Sequence, residues 1–67
     1  MDSNLHSLSR QLIELRIEHA DLDATIDRLV EATTQDELLL RRLKKRRLAL
    51  RDQIERLVRQ LDPQEPA

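Results

Sequence analysis

The sequence predicts an all-α protein: two amphipathic helices folded back on each other as an antiparallel, coiled-coil-like hairpin. Three observations predict it. The 67-residue chain has no Gly and only two Pro, both within its last five positions, so it lacks the turn residues that a sheet needs. It has no aromatic residue, whereas strands favour aromatic and β-branched side chains; Leu, Arg, Glu, Gln and Ala, all good helix formers, dominate instead. Finally, Leu and Ile recur at alternating spacings of three and four along two long stretches, which is the a/d seam of a heptad repeat.

Helix 1 is expected over about residues 3–31. Its seam runs Leu5, Leu8, Leu12, Leu15, His19, Leu22, Ile26 and Leu29, with His19 the one polar member. A second stripe, Ile13, Ile17, Ala20 and Ala24, follows i, i+4, i+7, i+11 and lies well around the helix from the first. A second apolar stripe calls for a second partner. Self-association of two hairpins into a four-helix bundle is the simplest expectation, and capture of an unknown protein's helix is the other.

The seam lapses at Glu31-Ala32-Thr33-Thr34-Gln35-Asp36-Glu37. Thr34 and Glu37 have the spacing of a capping box, and Asp36 and Glu37 suit the positive end of a new helix. A turn is therefore expected at about 32–34 and helix 2 at about 35–61. Its seam is Leu40, Leu43, Arg47, Leu50, Ile54, Leu57 and Leu61. Pro63 stops it, leaving a disordered tail at 62–67. The whole chain is one domain. The heptad phase runs unbroken through the gap, so one continuous helix in an antiparallel coiled-coil dimer is the alternative.

Charge sets the orientation. Residues 1–35 carry a net −4 and residues 36–67 a net +3. Pairing the helices antiparallel about residue 33 brings the acidic stretch from Glu14 to Asp27 alongside the basic stretch from Arg41 to Arg51. It also sets His19 opposite Arg47. These two form an expected polar layer that fixes register at some cost in stability, with the Arg47 guanidinium reaching out toward Asp21 or Glu18. A parallel dimer would set the basic stretch against itself.

Several function classes drop out. With no Cys, disulfides and thiolate metal sites are excluded. His19 and Asp23, one turn apart, are two ligands where a closed site needs four, so no metal and no other cofactor is expected. Ser3, Ser7 and Ser9 lie near His6, but a fraying helix start supplies no orienting acid and no oxyanion hole. Without Gly there is no phosphate-cradling loop. The chain reads as a non-enzyme with no small-molecule substrate. Met1-Asp2-Ser3-Asn4 is not basic and no apolar run follows, so neither a secretory signal nor a membrane span is expected, and the location is cytoplasmic.

The densest charge is Arg41-Arg42-Leu43-Lys44-Lys45-Arg46-Arg47, continuing to Arg51. Arg41, Arg42, Lys44, Lys45, Arg46 and Arg51 are the candidates for binding phosphate or an acidic partner. Against nucleic acid stand a net charge of −1 and the absence of aromatics to stack on bases. A solvated face paired partly with helix 1 is the plainer reading. A protein-interaction or oligomerisation module is thus the first functional expectation and nucleic-acid association the second.

Two segments carry a family resemblance. Glu18-His19-Ala20-Asp21-Leu22-Asp23-Ala24-Thr25-Ile26-Asp27-Arg28-Leu29, followed by Leu43-Lys44-Lys45-Arg46-Arg47-Leu48-Ala49-Leu50-Arg51-Asp52-Gln53-Ile54, resembles the YdcH-like family of small bacterial proteins. That family's pattern is His-x-x-Leu-Asp-x-x-Ile, a short acidic turn, then Leu-Lys-Lys-x-x-Leu-x-Leu-Lys-Asp-x-Ile. Here Arg51 stands where Lys is usual, and the proline often found in the turn is missing. The resemblance covers about residues 14–57 and implies a short cytoplasmic helical hairpin of uncharacterised function, with no catalytic residue and no cofactor. It also implies that His19, Leu22, Asp23, Lys44, Lys45, Leu50 and Asp52 form a signature layer or surface.

Overall fold

In the computed structural model, which describes residues 3–32 and 36–61, the chain forms two helices. Helix α1 spans Ser3–Glu31 and helix α2 spans Glu37–Leu61. They pack antiparallel as a hairpin. The helix breaks between Glu31 and Glu37, so the continuous-helix alternative is not the structure adopted. The molecule's smallest dimension is 15 Å, little more than the width of one helix with its side chains. The hairpin is therefore a single layer, and each helix has one covered stripe.

That stripe is the heptad seam. Ile26, Leu40, Leu50 and Leu57 are buried, and Leu8, Leu12, Leu15, Leu22, Leu29, Leu43, Ile54 and Leu61 are half-buried. Burial follows the period because only residues three and four apart share a helix face. His19 and Arg47 also sit half-buried at their seam positions.

The ends of the helices differ from the sequence expectation at one point. Helix α2 starts at Glu37, two residues after the expected start, and its cap is Asp36. The Asp36 carboxylate Oδ1 accepts from the Leu39 backbone N–H at 3.0 Å. The Asp36 carbonyl accepts the first helical bond, from Leu40 N–H, also at 3.0 Å. Asp satisfies an orphan N–H at least as well as Thr does, and its charge faces the positive helix end. Glu37 in the first turn adds to that. Thr34 of the expected capping box lies outside the described residues, as do the rest of the expected turn from residue 33 and the expected tail at 62–67. At the other end, Ala32 N–H donates to Leu29 C=O at 3.2 Å and tightens the last turn of α1.

A candidate anion-binding groove

Helix geometry divides each helix into the seam and two flanks. On α1, Arg16 and Asp23 fall on one flank of His19, and Gln11, Leu15 and Glu18 fall on the other. On α2, Lys44 and Arg51 flank Arg47 on one side, and Arg46, Gln53 and Leu57 on the other. Packing the seams together therefore leaves two grooves of different chemistry, one on each side of the hairpin.

The first groove is lined by Arg16, His19 and Asp23 from α1 and by Lys44, Arg47, Leu48, Arg51 and Ile54 from α2, around a volume of about 610 Å³. The second, of about 430 Å³, is lined by Gln11, Glu14, Leu15 and Glu18 against Gln53, Arg56, Leu57 and Gln60. The first carries four cations and one carboxylate; the second carries two carboxylates and one cation.

Two ion pairs tie the helices together. Arg47 Nη1 donates to Asp23 Oδ1 at 2.6 Å, and the pair is partly buried. Arg46 Nη2 donates to Glu18 Oε2. Arg47 thus reaches out of the seam, but to Asp23, in place of the expected Asp21 or Glu18. The cause is helix geometry: Asp23 is one turn from His19 and stays beside the seam, whereas Asp21 points to the solvent side and Glu18 is taken by Arg46. His19 and Arg47 both line the first groove, and Asp23 holds the Arg47 guanidinium there.

The basic residues of α2 do not form one surface. Lys44 and Arg51 enter the first groove. Arg41 sits beside Lys44 near Glu37 and Leu40. Arg42, Lys45 and Arg46 lie on the other side with Leu39, Leu43 and Ala49. Arg16 joins the first group from α1, and no reading of the linear charge block includes it. Its signal is present in the spacing: Arg16, His19 and Asp23 follow i, i+3, i+7, as do Lys44, Arg47 and Arg51, so each trio shares one helix face. Of the quoted motif residues, His19, Asp23 and Lys44 line this groove, while Leu22 and Leu50 are in the seam.

The second stripe of α1 is uncovered. Ile13 is 59% exposed and Ile17 57%, and Ala20 and Ala24 are exposed beside them. Among the described residues no group of three His, Cys, Asp or Glu side chains is placed to hold a metal, and no helix is long and apolar enough to cross a membrane.

The family model described as "Protein of unknown function (DUF465)" matches residues 12–58. That span holds both halves of the motif, both ion pairs and every residue of the first groove. No curated protein and no solved structure matches the chain. The match covers well over half of the sequence, and the chain belongs to the DUF465 family of small YdcH-like proteins.

Proposed function

We propose that the hairpin is a non-catalytic interaction module that assembles with a second copy of itself through the exposed stripe of α1. The observation that carries this reading is the exposure of Ile13 and Ile17 on the side of α1 turned away from α2. In water, two neighbouring Ile side chains on an otherwise polar helix face favour a partner.

The order of the stripe favours a copy of the same chain. Ile13, Ile17, Ala20 and Ala24 read large, large, small, small, and are symmetric about a point between Glu18 and His19. An antiparallel two-fold axis at that point sets each Ile level with an Ala of the partner: Ile13 with Ala24, Ile17 with Ala20. Large-against-small layers interdigitate, and a two-fold contact needs such self-complementarity. The stripe lies roughly 150° around α1 from the seam at 100° per residue. The second hairpin therefore sits behind α1, and the four helices run α2–α1–α1–α2 as an open layer in place of a closed bundle.

Nucleic-acid association finds less support, because the basic block is divided between two sides of α2. Replacing Ile17 with Glu tests the proposal. The variant is expected to keep its helical circular dichroism and elute as a smaller species than the parent. An unchanged elution volume with intact helicity would remove the stripe as the interface.

A further inference from the structure

The geometry points to a second, independent property: the Arg16–Arg51 groove binds a small organic phosphate of the nucleoside diphosphate class. The groove holds Arg16, Lys44, Arg47 and Arg51 against the single carboxylate of Asp23. Asp23 is committed to Arg47. Among the described residues, Arg16, Lys44 and Arg51 have no carboxylate partner. With Asp23 paired to Arg47, the groove keeps three cations and is net positive, so it attracts an anion. Of the neighbouring carboxylates, Glu14 and Glu18 line the opposite groove, and Glu37 lies beyond Lys44, beside Arg41.

The chemistry of the ligand follows from charge and size. A phosphate monoester carries about −2 at neutral pH and leaves one cation over; two joined phosphoryl groups balance the three. Arg16 and Arg51 offer planar forks for phosphate oxygens from opposite walls, and Lys44 adds a point charge. Lys44 and Arg51 stand two turns apart on α2, roughly 10 Å along the axis, and their long side chains converge on the space between. The volume of about 610 Å³ exceeds what inorganic phosphate fills and suits a small organic ligand. Leu48, 58% exposed between the two cations, and Ile54 give the organic part an apolar wall.

A nucleic-acid strand fits less well. It needs a track of cations longer than this groove, and Arg42, Lys45 and Arg46 lie on the other side of α2.

Calorimetric titration of the full chain at low salt tests the site, with ADP, inorganic phosphate and a ten-nucleotide single-stranded DNA as probes. ADP is expected to bind at least about tenfold tighter than inorganic phosphate. Arg16→Gln and Arg51→Gln should each weaken ADP about tenfold or more, the loss of one charge-assisted contact. Lys45→Gln, on the opposite side, should leave ADP binding unchanged. All three side chains are exposed on their helices, so circular dichroism should show each variant folded. No heat with ADP overturns the proposal. So does an equal loss from Lys45→Gln, which marks a diffuse charge effect, or DNA binding tighter than ADP, which marks a strand-binding surface. The Ile17→Glu variant should bind ADP as the parent does, which separates this result from the fate of the self-association reading.

Discussion

At the scale of single residues, the polar layer expected of His19 and Arg47 would set stability against specificity. Arg47 keeps its stem in the seam and bonds Asp23, whose carboxylate is half exposed. Solvent screens such a pair, so Asp23→Asn should cost only about 0.5 kcal/mol in urea unfolding, and the cost should shrink in high salt. Replacing both His19 and Arg47 with Leu should act in the opposite direction. A continuous Leu seam gains about 1 kcal/mol or more over a half-buried polar pair, but it would lose the register that the proposed polar layer supplies. The double variant is expected to be more stable and to show more than one species in size exclusion. Greater stability with a single unchanged species would mean that register is fixed elsewhere. The partner of Arg47 was misjudged although its signal was in the spacing: Asp23, four residues after the seam residue His19, stays beside the seam, whereas Asp21 turns to solvent and Glu18 pairs with Arg46.

At the scale of the elements, the seam was legible and the cap was not. Each expected seam residue whose side chain is described is buried or half-buried, because a 3.6-residue period leaves only one face for Leu. Burial depth also orders the expected losses. Leu50→Ala should cost about 2–4 kcal/mol, whereas Leu48→Ala, two residues earlier and exposed, should fall within about 0.5 kcal/mol of the parent. The start of α2 was expected two residues early because the Thr34–Glu37 spacing of a capping box pointed to Thr34 as the cap. The structure assigns the role to Asp36. Asp36→Ala should therefore lower stability by about 1 kcal/mol in thermal or urea unfolding, and Asp36→Asn by much less. The groove escaped the linear reading for another reason. Arg16 and Arg51 are 35 positions apart in sequence and meet only across the seam, so a charge block counted along the chain excludes one of them. Face-by-face spacing recovers both.

At the scale of the whole molecule, the hairpin is thin. Four side chains are buried among the described residues, and small scaffolds with so little core usually draw on a further partner. The acidic first half and basic second half meet across the antiparallel seam, where Glu18 pairs with Arg46 and Asp23 with Arg47. They do not explain the Ile13/Ile17 stripe, which faces away from α2. The proposed back-to-back copy would cover that stripe and leave both grooves open on the flanks of α1. The assembly should then be elongated, with a frictional ratio above that of a compact bundle of the same mass.

Sedimentation equilibrium of the unmodified chain, at concentrations from low to tens of micromolar, tests this most directly. Pairing through the Ile13/Ile17 stripe should give a species of twice the 7.9 kDa chain mass, dissociating on dilution as a single two-chain equilibrium. A fully helical species at the chain mass throughout that range would contradict it.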